Sequence, residues 1–287
     1  MRFVRPTVFL TAKSKPNPDD CDEETADKYS YGSDHKTAGE KIIELAGRRC
    51  YMSFVPGLNP NVTRIREDIE KYIGNIFASK HGSVLEHVYF TFAIEGVSRV
   101  FTGEMNRHRA GTAISEGSMR FIRFTDIPFC ETPMLRLTEE EQNNPQLKEY
   151  SRGSFENIAD LRSLAVKKQR TRDLFEKSTV QDEINYGEFC EIWAEELAPE
   201  SKFKFKKDIT SLGRRGIPMG VGTGGQWTFN VRALRHMLTM RCDEPAEEEI
   251  CVVGGLMLEK MMKEEPILFG DFKMNENGFW RPMHYKV

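Results

Sequence analysis

Residues 81–99 read HGSVLEHVYFTFAIEGVSR, and the deciding part is VYFTFAI (88–94). β-Branched and aromatic side chains in one short run suit a pleated, half-buried surface, so 88–94 is expected to be a strand. Before it, Ile65, Ile69, Ile73, Ile76 and Phe77 recur at helical spacing between Thr63 and Lys80, and Gly82 ends that helix. After it, Val97 to Asn106 reads as helix and Arg107 to Ser115 as a loop around Gly111. Ser118 to Phe124, where Met119 and Phe121 alternate with polar side chains, reads as a second strand.

Further out, residues 15–36 are polar and acidic and read as a long loop. Thr37 followed by Glu40 has the pattern of a capping box, and the run with Ile42, Ile43, Leu45, Ala46 and Cys50 fits the helix behind it. From about 128 to 205 the chain is charge-rich with a helical pattern, and Thr138 with Glu141 offers another capping box. The apolar content there is thin, so the segment reads as a helical insertion in a single domain spanning 1–287. MGVGTGG (219–225) reads as a glycine-rich loop, and Asn230 to Arg241 and Ala246 to Lys263 as two core helices. The expected fold class is mixed α/β (α+β), a central, mostly antiparallel sheet flanked by helices.

A net charge of −3 over 287 residues gives no basic excess. Nucleic acid and anionic membranes are therefore not expected as partners, while a local cluster can still take a small anion. The longest apolar run, Ile250 to Leu258, is too short to span a bilayer, and Met1 to Leu10 lacks the apolar core of a signal peptide. The six cysteines include no Cys-x-x-Cys pair, which points to a reducing cytoplasm. No metal site is expected. His87 beside Glu86 lacks a third ligand at suitable spacing and reads as a structural histidine at a strand end. Phe90, Phe92, Trp227 and Cys242 read as core.

Every cation between His81 and Leu147 is an arginine: Arg99, Arg107, Arg109, Arg120, Arg123 and Arg136. Arginine suits planar, bidentate recognition of phosphate and carboxylate. Arg107, His108 and Arg109 stand next to Gly111, where backbone amides can approach an anion. On a strand, Glu116, Ser118 and Arg120 would share one face and could read a sugar phosphate. The triplet equally suits a solvated loop, and the second set the polar side of an edge strand. The 219–225 glycines match no phosphate-loop pattern. From spacing alone, the chain binds a phosphorylated ligand.

HGSVLEHVYFTFAIEGVSR (81–99), RHR (107–109), SEGSMRF (115–121), Arg214 to Pro218 and NVRALRHMLTMRCDEPAEEEI (230–250) together resemble the conserved stretches of flavin-dependent thymidylate synthases, in that family's order and roughly its spacing. The resemblance implies methylation at C5 of a uracil nucleotide, dUMP to dTMP. Its cofactor would be FAD, its co-substrates NADPH and 5,10-methylenetetrahydrofolate, and its assembly a homotetramer with sites built from several subunits. By position, His81, Ser83, Arg107, His108, Arg109, Glu116, Asn230, Arg232 and His236 would hold FAD. Glu104, Asn106, Arg107, Glu116, Gly117, Ser118, Met119, Arg120 and Arg214 would hold the nucleotide. Arg241 would bind the pyrimidine and stabilise the charge that develops when C5 attacks. Three departures stand out, the first being that the helical insertion and the glycine-rich 219–225 differ from the family's usual short form. Eight residues, Ala110 to Gly117, separate Arg109 from Ser118, one more than the family pattern, and Glu104 stands where the family has Gln. They leave open a relative that methylates UMP or installs hydroxymethyl, and, from another class, a flavin- or nucleotide-binding protein without turnover.

Overall fold

The computed structural model describes residues 1–17, 36–120, 124–151 and 163–287. Contacts group the chain into two units: Met1–Pro6, Glu95–Gly103 and Glu116–Gly224 form one, and Thr7–Ile94, Glu104–Ser115 and Gly225–Val287 the other. The fold is α+β with an antiparallel sheet, as expected. Among the described residues no helix is long and apolar enough to cross a membrane.

The second unit carries a four-stranded sheet of β2 (Thr7–Lys13), β3 (Tyr89–Val97), β4 (Thr112–Glu116) and β6 (Thr223–Asn230), in the order β2-β3-β6-β4. The expected strand is β3, three residues longer at its far end after a one-residue later start. Phe90, Phe92 and Ile94 are buried while Tyr89 and Glu95 are exposed, so one face packs on the core. Trp227 and Phe229 are buried on β6, and the hydroxyls of Thr91 and Thr228 meet at 2.9 Å between the two strands. The helices are α1 (Ala38–Tyr51), α2 (Ile69–Ala78), α9 (Val231–Arg241), α10 (Glu248–Glu264) and the short α11 (Pro266–Phe269). The Thr37–Glu40 capping box is present, with Glu40 N–H donating to Thr37 Oγ1 at 3.1 Å and Thr37 N–H to the Glu40 carboxylate at 3.3 Å. Helix α2 starts later than the periodicity predicts. Asp68 caps it by accepting from Lys71 N–H at 3.0 Å, which leaves Ile65 outside. His87 ends a 3-10 turn (Gly82–His87) and is exposed.

The first unit begins with β1 (Arg2–Val4), which pairs in parallel with β5 (Pro128–Cys130). Helix α3 (Arg99–Met105) follows β3. Five further helices run from α4 (Glu139–Gln142) and α5 (Pro145–Ser151) through the 29-residue α6 (Leu164–Ile192) to α7 (Ala194–Leu197) and α8 (Phe203–Gly213). The Thr138–Glu141 capping box is present but heads only the four-residue α4. Glu131 is 3% exposed and is held by Arg5 at 2.6 Å and by Arg172. These guanidiniums keep its carboxyl below the usual carboxylate range against the opposing effect of burial. Phe124, Ile127, Tyr186 and Val221 form a local core, with Met119 and Ile217 packed on it.

Several expectations are corrected here. Residues 107–115 are not all loop, because β4 begins at Thr112. Ser118 to Phe124 does not continue as a strand: β4 ends at Glu116 and the chain turns at Met119–Arg120. There the Thr210 hydroxyl donates to the Arg120 carbonyl at 2.8 Å, occupying a group that a ladder would need. The shared face of Glu116, Ser118 and Arg120 is therefore absent. Phe121 to Arg123 lie outside the described residues, as does most of the 15–36 loop. Residues 128–130 are strand, and the glycine-rich 219–225 feeds straight into β6. Residues 1–13, for which no element was expected, form β1 and β2.

Candidate functional site

Helix α9 sets the site. Asn230 caps it by accepting from Ala233 N–H at 2.8 Å, and the Asn230 N–H donates to the Gly111 carbonyl at 2.9 Å. Gly111 has φ +68°, and a Cβ there would lie 2.4 Å from Asn230 Nδ2, so only glycine fits. The Thr112 hydroxyl reaches the carbonyls of His108 at 2.7 Å and Arg109 at 2.8 Å. The 107–112 loop is thus folded on itself and fastened to the start of α9. It presents Arg107, His108 and Arg109 to a cavity of about 620 Å³ lined also by Glu86, Tyr89, Ala110, Gly111, Asn230, Arg232, Ala233 and His236.

At the other end of α9, the Arg241 side chain is 15% exposed. Its Nε donates to His108 Nε2 at 2.9 Å, and its Nη1 lies 2.9 Å from Glu104 Oε2. Glu104 Oε1 is also 3.2 Å from Arg107 Nη1. Burial, the Arg241 charge and the neighbouring His236 push His108 down to about 4, against the opposite pull of Glu104. His108 is therefore a neutral acceptor at physiological pH, with its proton on Nδ1. The acid that Arg241 meets is Glu104, while Asp243, two residues along the chain, is paired with Arg281 at 2.9 Å.

Three guanidiniums, two imidazoles and a helix N-terminus around one cavity fit the pyrophosphate of FAD. Gly111 lets the loop close against Asn230, which holds these side chains around the cavity. Arg232 is paired with Glu86 at 2.6 Å, so it offers a guanidinium already oriented by a carboxylate.

Six of the nine expected flavin residues line this cavity: Arg107, His108, Arg109, Asn230, Arg232 and His236. His81 does not. It lines a separate cavity of about 620 Å³ with Arg64, Arg66 and Tyr72, its ring edge-on to Tyr51 at 5.2 Å. Ser83 is exposed on the 3-10 turn. Of the nucleotide set, Asn106 accepts from Trp227 Nε1 at 3.2 Å. Glu116, Gly117, Ser118, Met119, Arg120 and Arg214 all belong to the first unit. There Arg99 donates to Glu116 at 3.0 Å and to the Gly117 carbonyl at 2.5 Å, Ser118 Oγ accepts from Arg120 N–H at 3.4 Å, and Met119 packs in the local core. Arg120 Nε is buried without a partner among the described residues, and Arg214 is exposed at the end of α8. Sequence reasoning missed Glu86 and Tyr89 as cavity residues, although both stand within the quoted 81–99 stretch. Glu86 was weighed only as half of a metal pair.

The sequence profile of the thymidylate synthase complementing protein family, Thy1, matches residues 33–267. The chain belongs to this family. Relatives within it include proteins named flavin-dependent thymidylate synthase. The one from Corynebacterium efficiens is 29% identical over 236 residues, covering 82% of this chain and 80% of the relative. The one from Mycobacterium marinum is 25% identical over 274 residues, covering 96% and 90%. Among solved structures, the UMP/dUMP methylase PolB from Streptomyces cacaoi, bound with 5-Br dUMP, superposes with a TM-score of 0.60 at 16% identity. The match covers 94% of this chain and 96% of PolB and shows a shared fold. The Thy1 match takes in the 107–112 loop and α9, and so the whole cavity.

Proposed function

We propose that this chain is a flavin-dependent thymidylate synthase. It methylates dUMP at C5 to give dTMP, with 5,10-methylenetetrahydrofolate as carbon source and NADPH as reductant. The observation that carries this reading is the contact between Arg241 and His108. It joins the pyrimidine-side guanidinium at the end of α9 to the Arg107–Arg109 loop that lines the cavity. Membership of the Thy1 family supports it.

FAD, when bound, supplies the hydride chemistry that completes the methyl group. The chain's own residues bind and orient. Arg107, Arg109 and Arg232 would neutralise the cofactor's phosphates, with Asn230 and the start of α9 beside them. Arg241 would meet the pyrimidine and stabilise the negative charge that appears as C5 becomes nucleophilic. That charge exists only on the way to the transition state, so stabilising it raises turnover. His108, held neutral, adds no competing cation and keeps Arg241 aimed by accepting from Nε. Glu116, Gly117, Ser118, Met119, Arg120 and Arg214 remain proposals for the nucleotide, as do His81 and Ser83 for the flavin. No cysteine is needed as nucleophile: Cys130 is buried on β5 and Cys242 is buried behind Arg241, its thiol pushed up by burial. The chain is proposed to act in the cytoplasm, in keeping with free thiols at Cys50, Cys190, Cys242 and Cys251.

The test is the visible spectrum of the purified protein with FAD, followed by product analysis with dUMP and, separately, UMP. Flavin absorbance and dTMP formation are expected. Exclusive turnover of UMP would assign the chain to the alternative substrate. Failure to bind FAD or to oxidise NADPH removes the proposal.

A further inference from the structure

Glu104 departs from the pattern of the resembling family, where Gln stands. Its side chain is 23% exposed, and both of its oxygens are engaged by cations, Oε2 by Arg241 and Oε1 by Arg107. Arg241 is in turn gripped at two of its three nitrogens: Nε by His108 and Nη1 by Glu104, groups more than a hundred residues away in sequence. A guanidinium is planar and rigid, so contacts at Nε and Nη1 fix its plane and leave Nη2 with its two N–H groups to meet a ligand. A carboxylate in this position repels a phosphate.

We propose that Glu104 is a positioning residue: its carboxylate holds the Arg241 guanidinium against His108 and so sets the edge that Arg241 turns to the pyrimidine, instead of contacting the nucleotide itself. The inference rests on the proposed role of Arg241, but the grip can be tested without any turnover. The charged and titratable groups facing His108 are Arg241 and His236 from α9 and Glu104 from α3. Two of them act oppositely. Arg241 lowers the proton affinity of His108 and Glu104 raises it. Removing Glu104 therefore gives opposite signs for the two possible roles. If Glu104 holds Arg241 in place, its loss releases Arg241 and His108 gains proton affinity. If Glu104 acts only as a nearby charge, its loss makes His108 still harder to protonate.

The experiment is imidazole NMR of the full chain, without added ligand, between about pH 5 and 8, where an ordinary histidine titrates. In the wild type the His108 ring stays neutral. In Glu104→Ala it is expected to titrate within the window, a rise of about one unit or more. A ring that stays neutral in the variant overturns the proposal. In the loaded enzyme, Glu104→Ala should lower kcat for dTMP by between about tenfold and a hundredfold, the scale of a misplaced catalytic group, with little change in KM. Glu104→Gln should fall between, since an amide oxygen still accepts one N–H. A change confined to KM would instead make Glu104 a nucleotide contact and overturn the proposal. Should the alanine variant not fold, Glu104→Met keeps the bulk and removes the acceptor. If the wild type makes no dTMP, the functional reading fails, while the His108 titration still decides whether Glu104 holds Arg241.

Discussion

Arg241 carries the sharpest expectation at the scale of single residues. Its Nε and Nη1 are spent on His108 and Glu104, and its end of α9 lies beside the Arg107–Arg109 loop. Arg241→Ala should cost about 2.7–4 kcal/mol of transition-state stabilisation, roughly a hundred- to a thousandfold in turnover. FAD affinity should change much less, because Arg241 does not line the cavity proposed for the flavin. Arg241→Lys should rescue poorly, since one ammonium cannot hold His108 and Glu104 and also span the base edge. Product formation and flavin affinity in both variants decide it, and near-normal turnover in the alanine variant refutes the role. Arg241 as a candidate was legible from its place in NVRALRHMLTMRCDEP. Its partners were not, because His108 lies 133 residues away.

At the scale of elements, α9 shows how one helix divides its labour. Asn230 caps it, Arg232 and His236 point into the cavity, and Arg235 is buried against Asp271 at 2.7 Å. Gly111 is the counterpart of that cap. Gly111→Ala should strain a backbone at φ +68° and push a methyl into the Asn230 side chain. The expected result is a loss of about 1–3 kcal/mol in denaturant unfolding together with weaker FAD binding; a wild-type midpoint and affinity would show that the loop does not depend on this contact.

Helix α1 gives a second element-scale expectation. Its N-terminus meets Glu265, whose carboxylate accepts from the Thr37 hydroxyl and lies against Gly39. Burial first, and then the nearby Glu40, push Glu265 up to about 7. The folded chain thus holds a proton that the unfolded chain releases near the ordinary value of about 4.5. The stability this contributes is fully present below that value and is lost as pH rises through about 7. Glu265→Gln should therefore be more stable than the wild type at about pH 8, by roughly 1–3 kcal/mol, with the gap closing toward pH 5. Thermal unfolding of both proteins at the two pH values tests this, and an equal gap at both would contradict it.

At the scale of the whole molecule, the expected flavin residues are not gathered in one chain. Six line the cavity by Arg107, whereas His81 lines another within the same unit. Sites built from several copies would reunite them, and we propose the homotetramer that the family resemblance implies. Light scattering on the purified protein should give four times the 33.1 kDa chain mass. Substituting His81 should weaken flavin binding without disturbing the cavity that Arg107 lines. A monomer that binds FAD with normal affinity would end this reading.

The sequence by itself determined what depends on neighbours along the chain. Phe90, Phe92 and Ile94 fixed β3 through a period of two, the Thr37–Glu40 box fixed the start of α1, and Asn230 fixed the start of α9. Of the six arginines between 99 and 136 read as anion binders, Arg107 and Arg109 line the cavity, whereas Arg99 pairs with Glu116 and Arg136 with Glu131. Only the tertiary structure decided the rest. Residues 2–4 became strand because 128–130 lay ready to pair with them. Ser118 to Arg120 left the expected strand because Thr210 and a distant core claimed their backbone and side chains. Glu104, His108 and Arg241 became one network because folding brought α3 and the loop after it to the end of α9. Helix caps and strand alternation are written within a few residues, whereas the partner of a buried charge is whichever group the fold brings within about 3 Å of it.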